Sequence, residues 1–173
     1  MKIRTSYFYQ IRNFTRNMIP ISTAVWDPTW YHNFTNDYNY IFKDKRNILN
    51  GLRLESIIEQ GKKSNNGPDI CPCDKKDYQT CSFLKQYREN LEKINFDKMI
   101  TEMKELAKNY KEKENIQEEI ILVLIVYETP LNFCSERIPL QEYFTNHGWE
   151  CKELDYPIKN IAKIPLINKP FDF

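Results

Sequence analysis

Apolar and polar positions change period several times along the chain, and each change marks an element. Residues 2–11 (KIRTSYFYQI) are rich in β-branched and aromatic types and predict a first strand. Residues 19–25 (IPISTAV) predict a second, ended at Trp26-Asp27-Pro28 because proline restricts the residue before it. Leu84, Tyr87, Leu91 and Ile94 recur at helical spacing, as do Phe96, Met99, Ile100, Met103, Leu106 and Tyr110. Two amphipathic helices follow, and Asn95 with Asp97 supplies a start signal for the second. Residues 120–127 (IILVLIVY) are apolar without alternation, the pattern of a strand buried on both faces of a parallel sheet. A further helix is expected from about residue 135 to 147. It carries Leu140, Tyr143, Phe144 and His147 on one side, Pro139 in its first turn and Gly148 at its C-terminal cap. The stretch WECKEL predicts a last strand, and short helical pieces are expected around 38–42 and 52–59.

The order of these elements predicts one α/β domain over residues 1–173. Its expected core is a small, largely parallel sheet with helices on both faces, a Rossmann-like three-layer arrangement. Residues 61–82 form a polar, turn-rich insertion that carries cysteines, and 156–173 a proline-punctuated tail apolar enough to pack on the body. Composition narrows the function. Lys+Arg number 25 against 24 Asp+Glu, so whole-chain charge gives no support for nucleic acid or an anionic membrane as partner. Nucleic acid stays open only through a local patch. Arg4, Arg12, Arg16, Lys43, Lys45 and Arg46 offer either such an anion-attracting surface or an ordinary solvated face. With 4 glycines and neither GxGxxG nor GK[ST], a glycine-cradled phosphate loop is excluded. The longest apolar run is too short to span a bilayer, and the first residues hold no apolar stretch of signal length. Five cysteines without such a signal suggest reduced thiols and a cytoplasmic setting.

Candidate chemistry gathers where strands give way to helices, since ligands of open α/β sheets bind beyond the carboxyl ends of the strands. Thr5 and Ser6 close the first strand, Asp27 the second and Glu128 the central one. Cys134, Ser135 and Arg137 open the next helix, where free N–H groups and the macrodipole favour an anion or thiolate. In a ligand-binding reading, Arg137 and Ser135 hold the anion and Thr5, Ser6 and Asp27 orient polar groups. Trp26 or Trp30 stacks on a ring, worth about 1–3 kcal/mol per base. In a catalytic reading, Glu128 is a general acid/base or Cys134 a nucleophile with its pKa drawn below the usual value of about 8.5. Two residues separate Cys134 from Arg137 where a cysteine phosphatase loop needs five, which counts against attack by the thiol. The plainer alternative has Ser135 as a helix cap, Arg137 paired with Glu128, and the aromatic rings as core.

Cys71, Cys73 and Cys81 lie within eleven residues and could ligate zinc, with a fourth ligand from Asp69, Asp74, His32, Cys134 or Cys151. Such zinc would staple the insertion and play no part in catalysis.

The segments TSYFYQIRN, IPISTAVWDPTWY, FLKQYRENLEKINFDKMITEMKELA and ILVLIVYETPLNFCSERIPLQEYFTNHGWECKEL follow one another in an order that resembles a prokaryotic and phage family. That family is domain of unknown function 488. The matching positions are Thr5, Ser6, Trp30, Tyr87, Glu128, Cys134 and Arg137. Val126 replaces the family's first signature Cys, and Ser135-Glu136 replaces its His between Cys and Arg, which removes the base that would activate Cys134. The resemblance implies the α/β fold and the site at this junction, without a reaction. The leading expectation is therefore binding of a nucleotide-like or other anionic small ligand at the strand ends. The alternatives are an enzyme acting on nucleotides or nucleic acid, and a protein–protein interaction module.

Overall fold

In the computed structural model the described residues are 1–24, 28–34, 81–127, 129–130 and 135–155. Their core is a four-stranded, all-parallel sheet of order β2-β3-β1-β4, formed by β1 (Lys2–Tyr7), β2 (Met18–Ser22), β3 (Ile121–Val126) and β4 (Cys151–Glu153). Among the described residues the helices are α1 (Thr29–Phe34), α2 (Ser82–Leu91), α3 (Phe96–Lys113) and α4 (Arg137–Asn146). The α/β architecture inferred from the pattern is thus present. The expected pieces at 38–42 and 52–59, most of the insertion and the tail from 156 lie outside the described residues.

β3 is central, and its non-alternating sequence follows from that position. Leu122, Leu124 and Val126 pack on one face with Ile3, Ile19 and Ile21 and with residues of α2, α3 and α4. Val123 and Ile125 pack on the other with Phe8, Ile11, Ala24, Tyr31 and Leu154. Burial on both sides removes any polar alternation. In register, Thr5 lies beside Leu124 and Glu153, and Ser6 beside Ile125. Thr5 therefore faces α4, while Ser6 faces the opposite layer.

The first strand is shorter than its sequence suggests. It stops at Tyr7, and Phe8–Asn13 forms a 3-10 helix. With three residues per turn, Phe8 and Ile11 point inward together and are buried, while Tyr9 and Arg12 share an outward face. β-rich composition cannot separate this spacing from a strand. β2 likewise ends at Ser22 and not at Val25.

β2 is an edge strand among the described elements, and this accommodates Pro20, which lacks an N–H for a central ladder. The Tyr31 hydroxyl donates to the Pro20 carbonyl at 3.4 Å. On the other face, the Asn95 side chain accepts from the Lys98 N–H at 3.0 Å and starts α3. α4 ends at Asn146, and Gly148 follows its C-cap at φ +80°. The Trp149 N–H reaches the Phe144 carbonyl at 2.9 Å and the Gly148 N–H the Thr145 carbonyl at 3.0 Å, a Schellman closure.

The connections set where a ligand could approach. From β1 the chain crosses over β3 to β2 through the 3-10 helix on the Phe8/Ile11 face. From β3 it crosses in the opposite direction, over β1 to β4, through α4 on the other face. Opposite directions on opposite faces give both crossovers one hand, as parallel sheets require. The exits of the neighbouring strands β1 and β3 therefore diverge, and the carboxyl edge between Tyr7 and Val126 is a topological switch point.

Candidate functional site at the carboxyl edge of the sheet

Two groups of side chains flank this edge, one on each face. On the α4 face, parallel register places Thr5 opposite Glu153. The Thr5 hydroxyl donates to Glu153 Oε2 at 2.8 Å and accepts from Gln141 Nε2 at 2.6 Å. Arg137 Nε donates to the same Glu153 oxygen at 2.6 Å. The Arg137 side chain is only 7% exposed and that of Glu153 28%. Glu153 Oε1 is buried without a hydrogen-bond partner. Burial raises the Glu153 pKa above its ordinary value, outweighing the Arg137 charge and the hydrogen bonds from Thr5 and Arg137, and the neighbouring Asp155 charge adds to the rise.

This pairing changes the part expected of Arg137. Its guanidinium is directed to Glu153, a partner the sequence did not suggest, so much of the positive charge assigned to an anionic ligand is neutralised within the protein. Glu128, the other partner considered for Arg137, lies outside the described residues. Ser135 is buried, and its Oγ accepts from the Arg137 N–H at 3.3 Å, but it lies one residue before the N-cap position of α4, which Glu136 occupies without a side-chain cap bond. Glu136 is buried beside it. The Tyr87 hydroxyl is pushed well above its ordinary pKa, first by complete burial and then by the Glu136 charge. α4 itself runs from Arg137 and not from 135, since Ser135 and Glu136 lie outside its helical turns.

The opposite face carries rings. Phe8, first residue after β1, is buried. It meets Trp30 at 6.1 Å, Tyr31 at 5.2 Å and Tyr127 at 5.8 Å between centroids, all edge-on. Tyr31 is buried, but Trp30 is 40% exposed and Tyr127 53% exposed. Two aromatic surfaces thus reach solvent around one buried ring at the point where the β1 and β3 exits part. Ser6, on this side of β1, is fully buried, and the Thr23 hydroxyl donates to the Ile125 carbonyl at 3.0 Å.

Of the residues expected at the site, Thr5, Ser6, Trp30, Ser135 and Arg137 flank this edge, while Trp26, Asp27, Glu128 and Cys134 lie outside the described residues. So do Cys71 and Cys73. Their proposed zinc partner Cys81 is fully buried as the residue preceding α2. Among the described residues no cluster of three His, Cys, Asp or Glu is placed to hold a metal. Sequence reading missed Glu153, Gln141 and Tyr127. Alternation along β4 carried a signal for the first, because Cys151 and Glu153 share the inward face that Lys152 leaves. Comparisons with protein-family models, curated proteins and solved structures gave no match.

Proposed function

We propose that the protein binds a small, ring-bearing, nucleotide-like ligand at the carboxyl edge of its sheet, between the ends of β1 and β3. The observation that supports this reading most is the exposed pair Trp30 and Tyr127 held around Phe8 at the switch point. An exposed ring braced edge-on by buried rings gives up little freedom when a base stacks on it, and stacking contributes about 1–3 kcal/mol. Scattered exposed aromatics need no such account, but these two converge where open α/β sheets receive ligands.

Isothermal titration with adenosine, guanosine and their 5′-monophosphates tests the reading. Binding of at least one is expected, weakened roughly five- to a hundredfold by Trp30→Ala or Tyr127→Ala. Absence of binding by all four, with the fold intact by circular dichroism, refutes it.

Glu153 favours a second reading, in which the same edge carries turnover. A carboxyl whose pKa is raised by burial is a candidate acid or base, joining the earlier candidates Glu128 and Cys134. Glu153→Gln would then abolish turnover while ligand affinity survives.

A further inference from the structure

The ligand proposed above would need a cation for its phosphate, and Arg137 is already engaged by Glu153. The 3-10 helix that leaves β1 supplies another. Its three-residue period stacks Arg12 directly over Tyr9 on the outward face, with the guanidinium carbon 3.2 Å from the ring centroid. Arg12 Nε donates to the Tyr9 carbonyl at 2.9 Å. The side chain is thus anchored at both its flat face and its Nε, and it is exposed. Among the described residues no carboxylate forms an ion pair with it. Each neighbouring arginine differs: Arg4 pairs with Glu150, Arg16 with Glu114 and Arg137 with Glu153.

Held in this way, Arg12 leaves its two terminal nitrogens as a fork of donors, the geometry that takes two oxygens of a phosphate. Its orientation is fixed before any ligand arrives, so little rotamer freedom is lost on binding. Tyr9, 43% exposed, and Arg12 belong to the same six-residue element as Phe8, the ring that braces Trp30 and Tyr127. Four residues at about 2 Å of rise separate Phe8 from Arg12 by roughly 8 Å along the helix.

We infer that Arg12, set by Tyr9, is the phosphate-contacting residue of this site, and that its ligand is a mononucleotide with the base against Trp30 and Tyr127. The inference rests on the proposed ring-binding function. It adds the charged half of the ligand and moves the anion contact from Arg137 to the opposite face of the sheet.

Titrations of adenosine, adenosine monophosphate and inorganic phosphate against the wild type, Arg12→Ala, Arg12→Lys and Tyr9→Ala test it. Arg12→Ala should weaken the monophosphate roughly ten- to a hundredfold and leave adenosine within about twofold. Arg12→Lys should fall between, since it keeps the charge and loses the fork. Tyr9→Ala should weaken the monophosphate selectively by releasing the guanidinium. Should guanosine monophosphate prove the tighter ligand, the same comparison is made with guanosine. Equal effects of Arg12→Ala on nucleoside and nucleotide, or none on either, overturn the inference while ring binding survives. Failure of every nucleoside and nucleotide to bind the wild type overturns the proposed function and this inference together.

Discussion

Replacing Arg137 by Met removes one member of a nearly buried ion pair and leaves the other in place. Loss of one partner from a fully buried pair costs about 3–5 kcal/mol, because the remaining charge is uncompensated. Here Glu153 keeps the Thr5 hydroxyl at 2.8 Å and part of its side chain reaches solvent, which places the cost nearer about 2–3 kcal/mol. The double change Arg137→Met with Glu153→Gln removes the stranded charge, lets Thr5 keep a side-chain acceptor, and should recover all but about 1 kcal/mol. Urea unfolding followed by circular dichroism at pH 7 measures both. The single variant should also regain stability as pH falls, since protonation neutralises the stranded carboxyl. A loss under about 0.5 kcal/mol for Arg137→Met, or a double variant no more stable than the single one, would show that the pair is not coupled as the geometry requires.

Three further outcomes are expected. Glu153 titrates above its ordinary 4.5 in the folded state, so the folded protein binds more protons than the unfolded chain just above that pH. Its contribution therefore falls as pH rises through the window from 4.5 to the raised native value, and Glu153→Gln should flatten this part of the stability–pH curve; an unchanged curve refutes the assignment. Gly148→Ala meets no atom within 4 Å, so its cost is conformational alone, about 1 kcal/mol and a few degrees of Tm by calorimetry. Burial pushes the Cys151 thiol up to about 12, which leaves roughly one part in ten thousand as thiolate at pH 8; alkylation mapped by mass spectrometry should label it only on unfolding, and rapid native labelling would contradict its burial.

Long elements with one dominant period were legible in the chain. The stripe from Met99 to Tyr110 specified α3 and its buried face, and the unbroken apolar run of β3 specified a central parallel strand. The short elements were not. Aromatic and β-branched residues after Tyr7 suit a strand as well as a 3-10 helix, and only docking Phe8 and Ile11 on the sheet decides between them. The site was legible as a place more than as a set of contacts. Thr5 and Arg137 could be assigned to the carboxyl edge, but their common partner Glu153 is 148 residues from one and 16 from the other. It reaches them only because β4 lies beside β1, a neighbour relation that no local pattern encodes. Arg12 was visible as one of several N-terminal cations. Its distinction from Arg4 and Arg16 lies in which of them meet a glutamate after folding.

Pro20 has a bearing on self-association. A boundary strand with open amide and carbonyl groups is a template on which a second molecule can extend the sheet. At this position β2 offers neither group: proline has no N–H to donate, and the Tyr31 hydroxyl occupies the carbonyl. Among the described residues, this edge is thus interrupted at the middle of a five-residue strand, where an incoming chain would need consecutive bonds to gain a foothold. Restoring the donor with Pro20→Val and freeing the acceptor with Tyr31→Phe would together reopen it. Among the described residues, extension of the sheet along β2 is therefore opposed by one ring closed on its own backbone and by a hydroxyl bonded to its carbonyl.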